Sequence, residues 1–216
     1  IEGARLVFAS PYLLSIVAIV FCYEIVSTIL DFQFTSTIAY YLDGEAIGQQ
    51  ISLVFSITNG ASLVIQLFFT SYIMTRFGLV TALMVLPAAI ALGSSAFLVM
   101  PLLWVGSMLN TLDNAPAYSI NQSAKESLYV PTSRDEKYKA KAFIDMFVQR
   151  FAKAVAVVMS LAITTWFADF STIRYLSIVV LLLLGIWIIA AVYAGRQFRS
   201  RSQEAMAISA ESTGEF

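Results

Sequence analysis

Six apolar stretches of this chain are each long enough to cross a lipid bilayer as a helix. A helix needs about 20 mainly apolar residues to span the hydrocarbon core, and the polar breaks between the stretches are too short to hold a soluble domain. We therefore predict an all-α polytopic membrane protein, with a six-helix transmembrane bundle over 1–201 and a disordered cytoplasmic tail over 202–216. The predicted spans are about 6–34, 50–75, 79–100, 102–124, 139–167 and 172–194.

The composition also favours lipid as the main solvent of the folded chain. Hydrophobic residues make up 59% of the sequence and charged residues only 12%, about half the charged share of a soluble domain. The absence of histidine and the single cysteine, Cys22, exclude zinc clusters, internal disulfides and Ser-His or Cys-His catalysis. We predict no catalytic residue, no metal site and no cofactor, hence no enzyme. The net charge of −1 gives no reason to expect nucleic acid as a partner.

Basic residues divide unequally between the two sides of the predicted membrane. When alternate connections are assigned to opposite sides, one side receives ten bases together with both ends of the chain. The opposite side carries one base, Arg174, and the acids Asp43, Glu45 and Asp169. The positive-inside rule therefore predicts that both ends are cytoplasmic. The ten bases are Arg5, Arg76, Lys125, Arg134, Lys137, Lys139, Lys141, Arg196, Arg199 and Arg201.

Several charged residues lie inside the predicted spans, where each costs about 2.5–3.5 kcal/mol near the bilayer centre. Glu24 and Asp31 are seven positions apart and share one face of the first helix. The fifth helix carries a polar stripe that recurs every four residues, with Arg150 beside it: Lys141, Asp145, Gln149 and Lys153. We predict that these two faces, with the polar fourth helix between them, line a cavity for an anionic solute.

A structural role explains part of this pattern equally well. Buried polar side chains often join helices through hydrogen bonds and ion pairs, and basic residues near the start of the fifth helix can extend to the membrane interface. The two roles stay open for Glu24, Asp145, Arg150 and Lys153. Asp31 is the stronger site candidate, whereas a helix-joining hydrogen bond explains Asp113 as well.

An unusual signature spans the fourth and fifth helices. It consists of Tyr118-Ser119, Lys125-Glu126, Tyr129-Val130-Pro131 and then Lys137-Tyr138-Lys139-Ala140-Lys141-Ala142-Phe143-Ile144-Asp145. This string resembles the ATP/ADP translocase family of plastids and obligate intracellular bacteria, which is related to the major facilitator transporters. The resemblance is good over about 110–155, weaker over 20–80 and limited to hydropathy elsewhere.

The resemblance implies a fold of twelve helices in two halves, of which this chain is similar to the C-terminal half, a major-facilitator-type half-bundle. The N-terminal half would then come from the same polypeptide or from a partner subunit. The resemblance also implies that Asp31, Lys125, Lys141 and Asp145 take part in nucleotide exchange. It implies a location in the bacterial inner membrane, with the plastid inner envelope as the alternative.

The chain departs from the family pattern near this signature. Ala117 stands where plastid members have lysine, Gln122-Ser123-Ala124 where they have Asp-Pro-Cys, and Asp31 where they have glutamate. We therefore expect an anionic solute, with nucleotides among the candidates, and add Gln122 to the residues expected to bind it. The alternative function is a translocase-like membrane scaffold, which would dock partners in a larger complex without transporting a solute.

Overall fold

The computed structural model describes residues 2–132, 134–166 and 170–213, and within these ranges the chain forms helices and short connections without any strand. Five of these helices are long and apolar enough to cross a membrane. The prediction of an all-α chain with several membrane-length helices is therefore confirmed. Asp169, which entered the charge argument, lies outside the described residues.

The first two helices meet at a proline. Helix α1 covers Glu2–Ala9, and α2 covers Pro11–Tyr41. The Ser10 hydroxyl caps α2 by accepting a hydrogen bond from the Leu13 backbone N–H at 3.5 Å. Pro11 stands in the first helical turn, where no intrahelical bond needs its missing N–H. The first predicted span, 6–34, is therefore divided at Ser10 and continues to Tyr41.

The short α1 lies along a helical segment much later in the chain, Arg134–Phe143. Glu2 pairs with Lys139 at 3.0 Å between Oε2 and Nζ. The hydrogen bond and the charge of Lys139 lower the pKa of the Glu2 carboxyl. Gly3 permits the close approach, because a Cβ at this position would meet the Lys139 carbonyl oxygen.

Helices α3 and α4 follow each other directly, with Phe77 as the connection. Helix α3 covers Glu45–Arg76 and contains a π-helical segment at Ile65–Thr70, and α4 covers Gly78–Val99. Gly78 has a φ of +81°, a left-handed conformation that costs glycine little because it has no Cβ. The start of α3 at Glu45 lies five residues before that of the predicted span 50–75.

Helix α5 is the polar helix of the bundle. It runs through 103–128, where π-helical Ala117–Asn121 joins α-helical Leu103–Pro116 to Gln122–Leu128. Its bounds are close to those of the predicted span 102–124. It is nevertheless not one of the five apolar helices, because amide and carboxyl side chains interrupt its apolar residues. That α5 also crosses the membrane, as a sixth spanning helix, therefore stays a prediction.

The last two long helices are α6, over 134–166, and α7, Leu176–Thr213. A π-helical segment, Ile144–Val148, lies within α6, and a 3₁₀ turn, Phe170–Tyr175, precedes α7. Helix α7 thus continues into the segment predicted as a disordered tail. No glycine or proline interrupts 196–213, so no residue of this segment strongly disfavours a helix.

Helix α2 is central and packs against α5, α6 and α7. Its buried side chains form one hydrophobic core with those of α4 and α7, in which Trp187 and Tyr12 are among the largest fully buried side chains. The Gln33 amide donates hydrogen bonds to the Ile173 carbonyl and the Ser177 hydroxyl, both at 3.0 Å. These contacts fix the Glu24 and Asp31 face of α2 toward α5 and α6.

Helix α3 is fastened to α5 by polar side chains. The Gln50 amide donates to the Ser107 hydroxyl at 3.0 Å, and the Thr58 and Thr111 hydroxyls lie 3.1 Å apart. Elsewhere α3 is little covered: only 11% of its apolar window is buried, against 61% for α2. A broad apolar face of α3 is therefore left open.

Candidate functional site

A polar cavity of about 480 Å³ opens between α2, α5 and α6. Helix α2 contributes acids to it, and α5 and α6 contribute cations. Five of the eight residues predicted from the sequence line this cavity: Glu24, Asp31, Gln122, Lys125 and Lys153. The geometry therefore brings together residues from three helices that are far apart in the sequence.

The two acids occupy different environments. Asn110 Nδ2 donates a hydrogen bond to Asp31 Oδ1 at 3.0 Å, which holds the carboxylate against α5 while the residue stays exposed. The Glu24 side chain, by contrast, is only 9% exposed. A buried carboxylate needs a compensating partner, and Glu24 finds one across the cavity.

That partner is Lys153 on α6. Lys153 Nζ lies 3.4 Å from Glu24 Oε2, and the lysine side chain remains 60% exposed. The pair is thus buried on the acidic side and open on the basic side. Lys153 is therefore accessible to a solute from the open side of the pair.

Lys125 is the second cation of the cavity. It lies on the last part of α5, is half-buried, and forms no ion pair with the residues that the structure describes. A half-buried ammonium without a protein carboxylate is a favourable partner for an anion. Of the two lysines that line this cavity, Lys125 is therefore the one for which a solute meets no competing carboxylate among the described residues.

A smaller cavity of about 240 Å³ adjoins the first one at α3. The two share Asp31, Asn114 and Tyr118, while Phe55 and Thr58 line only the smaller one. The Tyr118 side chain is 66% exposed. The polar space therefore extends from α6 across α2 and α5 to α3, with an aromatic ring in the shared region.

Asp113 forms a hydrogen bond between two helices and does not face the cavity. It is fully buried, and Asp113 Oδ2 accepts a hydrogen bond from the Ser27 hydroxyl at 2.7 Å. It does not line the 480 Å³ cavity, although Ser27 does. The contact joins α2 to α5, as the helix-joining interpretation of this residue predicts.

Lys141 lies in a separate cluster. Its Nζ contacts both carboxylate oxygens of Glu126 at 2.7 Å and stands 5.9 Å from the centre of the Tyr129 ring. Burial raises the pKa of the Tyr129 phenol, and the Asp145 and Glu126 carboxylates raise it further. Lys141 therefore connects α6 to the end of α5 and does not face the cavity.

Asp145 and Arg150 also lie outside the cavity. Asp145 Oδ1 accepts a hydrogen bond from the Gln149 amide at 3.4 Å, and Arg150 is exposed without an ion pair among the described residues. The predicted single stripe on the fifth helix is thus divided. Lys153 lines the cavity, whereas Lys141 and Asp145, which lie earlier on the same helix, do not.

Some cavity residues were not among those predicted from the sequence. Thr28 lies between Glu24 and Asp31 on the same face of α2, so helical spacing is a signal that could have identified it. Tyr118 belongs to the family-like signature but carries no charge. All the predicted site residues except Gln122 are charged. The other unpredicted residues of the cavity wall are Tyr23, Ser27, Asn114, Ala117, Asn121 and Val157.

The Glu24–Lys153 contact gives a first prediction. Lys153→Gln should lower the free energy of unfolding by about 1 kcal/mol, because it leaves the nearly buried Glu24 carboxylate without its cation. Combining it with Glu24→Gln should restore most of the loss. Unfolding of the full-length protein in mixed detergent micelles measures both changes. Arg150→Gln is the control, and simple additivity of the two cavity substitutions would contradict the coupling.

Comparison with known proteins identifies similar chains. A family model described as TLC ATP/ADP transporter matches residues 1–103 and 98–198. ADP,ATP carrier protein 1 of Chlamydia pneumoniae is 24% identical over 89% of this chain. The chloroplastic ADP,ATP carrier protein 1 of Arabidopsis thaliana is 23% identical over 94%, and ADP,ATP carrier protein 3 of Rickettsia prowazekii is 24% identical over 87%. No solved structure matches the chain.

The matched part is less than half of each of these relatives. The chain spans 42%, 36% and 42% of the lengths of the Chlamydia, Arabidopsis and Rickettsia proteins. The family match nevertheless covers almost every residue of the chain, so the resemblance inferred from the signature is confirmed. This chain belongs to the TLC ATP/ADP transporter family.

Proposed function

We propose that this chain forms one half of a nucleotide exchanger and that the 480 Å³ cavity holds the phosphate groups of the solute. The observation that carries the proposal is the placement of Lys125 and Lys153 in one cavity of a chain from an ATP/ADP transporter family. Phosphate oxygens are strong acceptors that favour charged donors. Two lysines from two helices can bind them from opposite sides.

The acids in the cavity have a role in release. Glu24 and Asp31 balance the charges of Lys125 and Lys153, so the cavity carries little net charge. A phosphate group competes with Glu24 for Lys153, and the carboxylate regains the lysine when the solute leaves. Exchange needs this moderate affinity, because binding must be strong enough for entry and weak enough for release.

We place the base of the nucleotide against Tyr118. Its exposed ring lies where the two cavities meet, and an aromatic side chain can stack on a planar base with little sequence preference. Asp31 and Gln122 line the same space: the Asp31 carboxylate accepts hydrogen bonds from the sugar hydroxyls, and the Gln122 amide donates to the phosphates. Lys141 and Asp145 act outside this space, where Lys141 holds the ends of α5 and α6 together through Glu126.

A second six-helix half covers the open face of the cavity in this proposal. Helices α3 and α6, on either side of the polar space, are the least buried of the apolar helices, with 11% and 22% of their apolar windows covered. Transporters of this kind place the solute between two halves that rock against each other. That second half comes from another part of the polypeptide or from a partner subunit, in a major-facilitator arrangement. In this chain, α5 then crosses the membrane together with the five apolar helices, which gives six spans.

The orientation belongs to the same proposal. The base-rich side, with Arg76, Lys125 and Arg199, faces the cytoplasm, and the side with Asp43 and Arg174 faces away from it. We propose the bacterial inner membrane as the location, with the plastid inner envelope as the alternative. The anionic solute thus meets Lys125 from the cytoplasmic side.

Transport by the full-length protein tests the proposal. Liposomes that contain the protein and internal ADP should take up labelled ATP, whereas liposomes without internal nucleotide should take up much less. Asp31→Ala should lower the uptake, because it removes a cavity carboxylate. Absence of uptake with any internal nucleotide would contradict exchange.

The same preparation distinguishes the scaffold alternative. A scaffold should keep its partner subunits during purification in mild detergent and should show no uptake. A protein that migrates without other subunits and exchanges nucleotide excludes it.

A further inference from the structure

A second cleft opens at the base-rich end of the bundle between α4 and α7, and it shares no lining residue with the solute cavity among the residues that the structure describes. Two cavities of about 580 and 490 Å³ make up this cleft and share Val80, Gly195, Arg199 and Gln203. The two helices touch where Gly195 meets the Val80 side chain, so closely that a Cβ on Gly195 would overlap it. The cleft forms around this contact.

The walls of the cleft combine two properties. Val192, Phe198 and Leu79 give it apolar sides, and Arg196 and Arg199 give it two exposed cations. No aspartate or glutamate is among the described residues that line either cavity. Arg196 and Arg199 are three positions apart and therefore project from the same side of α7. The positive charge is thus concentrated in the cleft, and no carboxylate of the described lining residues balances it there.

We infer that this cleft binds the headgroup of an anionic phospholipid, with its acyl chains along the apolar walls. Basic pockets between helices at the cytoplasmic end of a membrane protein are suited to phosphate-containing headgroups, whose charge is drawn to arginine. The apolar walls favour a lipid over a free phosphate ion, because they add burial of hydrocarbon that an inorganic ion lacks. The site is separate from the proposed transport function, so either can fail alone.

Binding of short-chain phosphatidylglycerol to the full-length protein in an uncharged detergent tests the site, with short-chain phosphatidylcholine as the zwitterionic reference. The unmodified protein should prefer phosphatidylglycerol. The double substitution Arg196→Gln with Arg199→Gln should weaken binding of phosphatidylglycerol on the order of tenfold and abolish the preference. Thr81→Trp should also weaken binding without a change of charge, because exposed Thr81 lines the cleft and an indole would fill it.

Arg201→Gln is the matched control. Arg201 lies on the same helix, and its guanidinium stands 4.8 Å from the centre of the Tyr12 ring, outside the cleft. This variant should keep the preference. Equal affinity for the two lipids, an equal loss in Arg201→Gln and in the double variant, or displacement of the lipid by an equal concentration of inorganic phosphate would each overturn the inference.

Discussion

A Lys125→Gln variant of the full-length protein is expected to exchange ATP for ADP more slowly by a factor on the order of 10 to 100 at limiting ATP. A hydrogen bond to a charged partner contributes about 1.5–3 kcal/mol, and each 1.36 kcal/mol is a factor of about ten. Lys125 has no carboxylate partner among the described residues, so its loss leaves no protein charge unpaired. The initial rate of labelled ATP uptake into ADP-loaded liposomes measures the effect.

The control for this prediction is Arg150→Gln. It removes one cation from the exposed surface of α6, outside both cavities, and should leave the rate unchanged. Lys125→Arg should recover part of the activity, because a cation returns at the same position with a different shape. Equal rates for Lys125→Gln and the unmodified protein would show that Lys125 does not bind the solute.

A Gly195→Leu variant is expected to lose about 3 kcal/mol of stability. A Cβ at this position would overlap Val80 Cγ2, and the Val80 backbone lies close behind, at 3.7 Å from its Cα. The contact can be relieved only by separation of α4 and α7, and overpacking of this kind costs about 1–3 kcal/mol. Reversible unfolding in mixed detergent micelles measures the loss.

Gly185→Leu provides a control on the same helix. A Cβ at Gly185 would have no heavy atom within 4 Å, and leucine favours a helix more than glycine does. This variant should keep or slightly raise stability. A similar loss in both variants would mean that a leucine at either position of α7 destabilises the protein for another reason, and that the contact with Val80 does not explain the result.

Much of the helical architecture follows from the sequence alone. The apolar runs are set by the need to match about 30 Å of hydrocarbon, and this need acts on each run separately. The exceptions have local causes. Pro11 begins a new helix after the Ser10 cap, and α7 continues past the apolar residues because helix propensity does not depend on burial.

The candidate site was only partly predictable. Glu24 and Asp31 share a face because the helical repeat requires it, whatever lies opposite. The partner of Glu24 is Lys153, 129 residues further along the chain at 3.4 Å, and local sequence patterns do not determine which helix packs there. Lys141 and Lys153 were predicted to share one stripe, but Lys141 contacts Glu126 near the end of α5, and of the two lysines Lys153 alone lines the cavity.

The sequence by itself therefore determined that the chain is helical, how long the apolar helices are, and to which family the fourth and fifth helices are similar. Those properties depend on side chains within about one helical turn or one apolar run, and on a local signature. Tertiary structure alone decided which charges meet, that Lys125 has no ion pair with a carboxylate of the described residues, and that Tyr118 lines both cavities. These depend on how α2, α5 and α6 pack, and packing joins residues that are distant in the sequence.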